Sequence, residues 1–290
     1  MGSMRRATIT LAVWAGLLAA ASGAAAAPSD GRLAAVETWG FAIGNKTLKG
    51  ELVERYAGYD LLVVDGQEAK RRQVTDLRSS GKVVLGYLSV GTIEAYRPWY
   101  RLLKPYRLEA WKDWKDEFFA DVSRRSYRRK MLDRIAPKLL AKGFDGLFLD
   151  NVDMIEGHRR ETKGMRKLVS GLSGLVRADG RLLFGQNGYE ILDPFLPYLD
   201  GWNREDVTGT YDFDSDRYRV NRKRRIAATQ RELRAVGEAG LLVTTTDYAR
   251  KPRGEIAEQA IANACAAGAL PYVGDIELRR TPANPPRCPS

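Results

Sequence analysis

The chain has 290 residues, a net charge of +11 and a single histidine, His158. One imidazole leaves His158 as the only possible base of a Ser-His-Asp triad and a zinc hydrolase short of its usual ligands. Hydrophobic residues make up 44% of the chain, enough for a packed core, which excludes an intrinsically disordered polymer. In chain order, Arg5 and Arg6 precede an apolar run from Ile9 to Ala21 and the small residues Ala24 to Ala27. This pattern reads as a signal peptide over 1–27, with Met4 as a second candidate start. The run is shorter than the about 20 residues of a spanning helix, so stable membrane insertion is not expected. The mature chain is expected to begin near Pro28 in an exported compartment. Its length fits one domain over 28–280, followed by a Pro-rich tail over 281–290, and a monomer is expected.

Eight short apolar runs alternate with longer amphipathic segments. The runs are Trp39–Ile43, Leu61–Val64, Val83–Leu88, Leu147–Leu149, Leu182–Phe184, Leu199–Trp202, Leu241–Val243 and Leu270–Val273. Between them, patterns such as Met131-Ile135-Leu139 and Met165-Leu168-Val169-Leu172 put apolar side chains on one helical face. Gly81, Gly143, Gly180, Gly240 and Gly268 each stand where a helix would end. Alternating strands and helices imply a parallel sheet covered by helices, and eight units at this length predict a (β/α)8 barrel. Gly40 and Gly44 do not make a GxGxxG fingerprint, so a nucleotide-binding fold is disfavoured. The basic residues are spread along helices without a nucleic-acid module, which reads as a solvated surface.

In such a barrel the site lies at the C-terminal ends of the strands. Those ends carry Asn45, Asp65 with Glu68, Ser89 with Glu94, and Asp150 with Asp153. The later ones carry Gln186-Asn187, Asn203 with Glu205-Asp206, Asp247-Tyr248, and Asp275. Helix N-caps favour Asp and Asn, which accounts for part of the pattern, with Asp65 and Asp275 the readiest examples. It accounts less well for acids on so many strands of a basic chain. The connection after the third run, about Gly91 to Ser123, is unusually long and rich in aromatics from Tyr96 to Phe119. Most of these rings are expected to pack the loop onto the barrel, and one or two to reach a sugar. His158 reads as a surface residue. Cys265 and Cys288 either form a disulfide stapling the tail to the last helix, or remain apart.

The stretches WGFAIGN, YDLLVVDG, GKVVLGYLSVGTIEAYR, KGFDGLFLDNVDM, QNGYE, DGWNREDV and TTDYA occur in this order. Together they resemble glycoside hydrolase family 114, the endo-α-1,4-polygalactosaminidases, from about Val36 to Leu278. The resemblance implies a (β/α)8 barrel that cleaves galactosamine-containing polysaccharide internally without metal or organic cofactor. It also implies an acidic pair after the fourth and sixth strands, which here are Asp150, as nucleophile or base, and Glu205, as general acid/base. Glu205 is expected to hold its proton through burial or a like-charged neighbour, with Asp206 the adjacent candidate. Asp65, Tyr87, Asn187, Asn203, Asp247 and Asp275 are expected to bind sugar around the pair, and Asp153 either to support the pair from behind or to cap a helix. A protonated amino sugar suits such an acidic site, while the basic exterior would repel it beyond contact range. The competing reading is a polysaccharide-binding barrel that does not cleave, in an exopolysaccharide or biofilm matrix.

Overall fold

The computed structural model describes residues 30–43, 47–279, 281–282 and 284–289; the expected signal segment and Asn45 lie outside these residues. Strands follow in the order β1 Trp39–Ala42, β2 Leu61–Asp65, β3 Val83–Ser89, β4 Thr92–Glu94, β5 Arg107–Ala110 and β6 Glu117–Ala120. Then come β7 Gly146–Asp150, β8 Leu182–Gln186, β9 Gly201–Glu205, β10 Gly209–Asp212, β11 Arg217–Val220, β12 Leu242–Tyr248 and β13 Leu270–Gly274. Eight of them lie side by side in the order β1, β2, β3, β7, β8, β9, β12, β13. Every pairing among these eight is parallel, and the result is the expected (β/α)8 barrel.

The pleat sorts each strand into two faces, because successive side chains point to opposite sides. Leu61, Val63, Val83, Leu85, Phe148, Leu182 and Phe184 fill the barrel interior. Their neighbours Leu62, Val64 and Val84 pack outward under the helices, as do Leu147, Leu149, Leu183 and Trp202 elsewhere around the ring. Burial on both faces is why these strands read as unbroken apolar runs rather than alternating ones. The five glycines expected to end helices all take positive φ, from 63° at Gly180 to 99° at Gly143. The sixth strand begins at Gly201, two residues later than its apolar run. There the Phe184 ring of the neighbouring strand stands 2.2 Å from where a Cβ would sit, so only glycine fits.

β1 and β13 close the ring through side chains: Trp39 Nε1 donates to the Leu270 carbonyl at 2.9 Å. Phe41 and Tyr272 pack beside that contact, each ring 5.7 Å or less from a neighbour. The tail runs along this seam, where the Tyr59 hydroxyl donates to the Pro282 carbonyl at 2.6 Å and the Thr281 hydroxyl to that of Phe41 at 2.5 Å. Cys265, at the end of the last helix, and Cys288 form a disulfide, which decides between the two alternatives left by the sequence.

The long connection after β3 is built rather than irregular. β4, β6 and β5 form a three-stranded antiparallel sheet, and β10 pairs antiparallel with β11 in a hairpin after β9. Most of its aromatics pack inward: Tyr106 meets Tyr127 edge-on at 5.7 Å, and Trp111 stacks on Phe119 at 5.2 Å. His158 lies against Phe119 and pairs with Glu109 at 2.7 Å, which pins this sheet to the turn after β7. Tyr96, at 65% exposure, is the ring of this segment that faces solvent.

Candidate active site

The same pleat that fills the interior aims the site. Tyr87 lies two residues beyond Leu85, Asp150 beyond Phe148, and Gln186 beyond Phe184, so each continues an inward-facing row into the mouth of the barrel. Glu205 continues the row of Asn203, and Tyr248 that of Thr244 and Thr246. The five side chains therefore converge at the C-terminal rim from β3, β7, β8, β9 and β12.

Asp150 is surrounded by donors. The Tyr87 hydroxyl donates to Oδ2 at 2.5 Å, Gln186 Nε2 to Oδ1 at 2.7 Å, and the Asn151 backbone N–H to Oδ1 at 2.7 Å. Asn151 Nδ2 adds a longer contact to Oδ2 at 3.2 Å. Asn151 is left-handed (φ 59°), a conformation asparagine tolerates, and this folds its N–H back onto the carboxylate. The turn is held from below, where Asn151 Nδ2 also donates to Ser89 Oγ at 2.9 Å. Gly91 must be glycine here, because a Cβ would stand 1.9 Å from the Asn151 carbonyl. Burial lifts the Asp150 carboxyl above the usual aspartate range, while Tyr87, Asn151 and Gln186 pull it back by bonding the charged form.

Glu205 is held more sparsely. Asn187 Nδ2 donates to Oε2 at 2.7 Å and the Tyr248 hydroxyl donates to Oε1. Asn187 cannot turn over, because its Oδ1 accepts the Glu205 N–H at 2.9 Å. Burial, and next the negative charge of Asp150, push the Glu205 carboxyl up to about 8. Asp206, the neighbour expected from sequence, contributes less than Asp150 does. At neutral pH Glu205 therefore holds a proton, and Asp150 is the acid with more donors to its charged form.

Not all residues expected around the sugar line the mouth. Tyr87 and Asn187 touch the acidic pair directly, as described. Asp65 is 4% exposed; both its oxygens take Arg97 at 2.9 Å, and Oδ1 also accepts the Gln67 and Glu68 N–H groups. Asn203 has no exposed surface and lies under the site, donating to Gln186 Oε1 at 2.8 Å. Asp247, 1% exposed, faces away from the axis and accepts the Thr208 and Gly209 N–H groups, which fixes the entry to the β10–β11 hairpin. Asp275 closes the turn after β13 by accepting the Arg279 N–H at 3.0 Å. These four act on the backbone or on other side chains, since a short carboxylate or amide at a strand end can turn to local N–H groups.

Two acids gain weight that their sequence positions did not convey. Glu117, on β6, accepts from Thr92 Oγ1 at 3.1 Å and is pushed up to about 8 by burial, Glu94 and Asp150. It sits in the middle of the long connection rather than at a barrel strand end, where the sequence carries no signal for it. Asp153 is raised to about 7 by burial and then by the charge of Asp150, which makes it a neighbour of the pair rather than a helix cap. Glu94 is paired with Arg97 at 2.8 Å and takes the Tyr96 hydroxyl.

A (β/α)8 barrel with two electrostatically linked carboxylates at its C-terminal rim has the parts of a glycoside hydrolase. The profile of glycoside-hydrolase family GH114 matches residues 18–282, and the chain belongs to that family. An uncharacterized protein of Deinococcus radiodurans is 27% identical over 277 residues, covering 88% of this chain and 85% of its own. Among solved structures, the glycoside hydrolase domain of PelA from Pseudomonas aeruginosa aligns with a TM-score of 0.72 at 21% identity, over 85% of this chain and 98% of that one. Ega3 of Aspergillus fumigatus, in complex with galactosamine, aligns at 0.64 and 17% identity, over 83% and 92%.

Proposed function

We propose that this glycoside hydrolase is an exported, endo-acting enzyme that cleaves α-1,4-linked galactosamine or N-acetylgalactosamine polymers with Asp150 and Glu205. Glu205 protonates the leaving glycosidic oxygen, and Asp150 attacks the anomeric carbon or activates the water that does. The observation that carries this division of labour is the unequal environment of the two acids. Asp150 is bonded as a carboxylate, and its charge in turn helps Glu205 keep a proton. Two carboxyl groups pushed apart in this way can run acid and base chemistry in one site.

The galactosamine in the Ega3 complex supports the substrate class, as do the further acids Glu117 and Asp153 beside the pair, which a bound protonated amine would help to ionise. The apolar N-terminal segment and the Cys265–Cys288 disulfide support export, since disulfides persist in oxidising compartments. The catalytic unit is taken to span 28–280 with the tail over 281–290, and to act as a monomer.

The test uses protein beginning at Pro28, incubated with α-1,4-linked galactosamine polymer and with its N-acetylated form. Oligosaccharide release is followed by mass spectrometry. Asp150→Asn and Glu205→Gln should each lower turnover by ~10²–10⁴-fold with polymer binding retained. Undiminished release in either variant would remove that residue from the chemistry, and binding without release by the unaltered protein would favour a sugar-binding role.

A further inference from the structure

A line of hydrogen bonds crosses the barrel from β12 to the carboxylate on β7. Thr244 and Thr246 donate their hydroxyls to Asn203 Oδ1 at 3.1 and 3.2 Å. Asn203 Nδ2 donates to Gln186 Oε1 at 2.8 Å, and Gln186 Nε2 donates to Asp150 Oδ1 at 2.7 Å. Thr244, Thr246 and Asn203 have no exposed surface and Gln186 only 5%, so water does not compete along the line.

A primary amide has a donor end and an acceptor end, and turning it over exchanges them. Gln186 meets Asp150 with its donor because its acceptor end is occupied by the Asn203 donor. Asn203 is held in that sense because its own oxygen takes two threonine hydroxyls. We propose that Asn203 is a positioning residue that fixes which end of the Gln186 amide faces Asp150, and so holds Asp150 in its charged form. The inference rests on reading Asp150 as the catalytic carboxylate.

Besides Asn151, titratable groups also interact with Asp150. They are Tyr87 from β3, Glu94 from β4, Glu117 from β6, Asp153 from the turn after β7, Glu205 from β9 and Tyr248 from β12. None of them belongs to the line.

The experiment is the pH profile of kcat/KM on α-1,4-linked galactosamine polymer, whose acid limb reports the free enzyme's catalytic carboxylate. Asn203→Asp keeps the shape but replaces the donor by an acceptor. Gln186 then turns its Nε2 toward residue 203 and its oxygen toward Asp150, and the acid limb should move upward by about one pH unit. Gln186→Met, which removes the donor itself, should move it the same way. In the Gln186→Met background only the through-space effect of the added carboxyl remains, so the Asn203→Asp shift should be less than half of that in the unaltered enzyme.

Circular dichroism establishes that each variant is folded. If Asn203→Asp does not fold, Gln186→Met still decides the matter, since an unmoved acid limb there overturns the proposal. A rate loss equal at every pH, or a shift undiminished in the double variant, is what an asparagine outside the relay predicts and overturns it too. Asp150→Asn separates this from the parent reading: retained turnover in that variant removes Asp150 from catalysis, whatever the relay does.

Discussion

Asp150 and Glu205 differ less in burial than in what bonds them. Asp150 takes donors from Tyr87, Gln186 and Asn151, whereas Glu205 takes one amide and one phenol and feels the charge of Asp150. With Glu205 raised to about 8, an acid catalyst at that position is protonated below that pH and is lost above it. The base limb of kcat/KM should therefore fall near pH 8, and a limb below pH 6 would contradict the assignment. The Tyr248 hydroxyl favours the charged form of Glu205 by donating to it, so it opposes the upward shift. Tyr248→Phe should accordingly move the base limb to higher pH, by about one unit or less. A downward movement would mean that the phenol acts on the reaction by another route.

The elements inserted after β3 and β9 meet one another at the mouth. Trp114, from the first, lies edge-on to Phe213 of the β10–β11 hairpin at 5.6 Å, and Lys112 pairs with Asp214 at 3.0 Å. The ion pair is more than four-fifths exposed on both sides, and such pairs contribute about 0–1 kcal/mol. The aromatic contact, of about 0.5–1.5 kcal/mol, is the stronger tie between the two segments. Trp114→Ala should therefore loosen both edges of the substrate opening while leaving the acidic pair in place. The expected result is a KM raised roughly 2–10-fold with kcat changed by less than about twofold. Steady-state kinetics on the polymer checks this, and an equal loss in kcat would show that the contact shapes the reacting groups instead.

For the molecule as a whole, closure of the ring is a weak point that the tail covers. β1 and β13 meet through Trp39, Phe41 and Tyr272, and residues 281–282 and 284–288 lie along the outside, tied to Cys265. Constraining a loop with a sequence separation of 23 restricts the unfolded chain by about 3 kcal/mol on the loop-entropy account. Replacing both cysteines by serine should lower Tm by roughly 6–12 °C, with the larger part of kcat kept, because the seam lies away from Asp150 and Glu205. Differential scanning calorimetry under oxidising conditions measures it. A Tm unchanged within a degree would show that the tail contributes little to closure.

The apolar runs and the glycines that end helices are local signals, and they determined the barrel; the acids at strand ends marked its rim, and the resemblance to family 114 singled out Asp150 and Glu205 among them. A strand buried on both faces and a left-handed helix cap each leave their mark within a few residues. Tertiary structure alone decided what each polar residue at those ends does. Asp65, Asn203 and Asp247 have the same residue types and strand-end positions as Asp150 and Asn187. Yet they are spent on Arg97, on Gln186 and on the Thr208–Gly209 amides. Glu117 entered the site only because an antiparallel sheet, formed between residues far apart in the connection, carried it there. The direction of a polar side chain depends on the partner that reaches it across the barrel, and that partner lies on another strand. Periodicity within one strand places a residue on the inner face, but the hydrogen bonds that set its charge come from its neighbours.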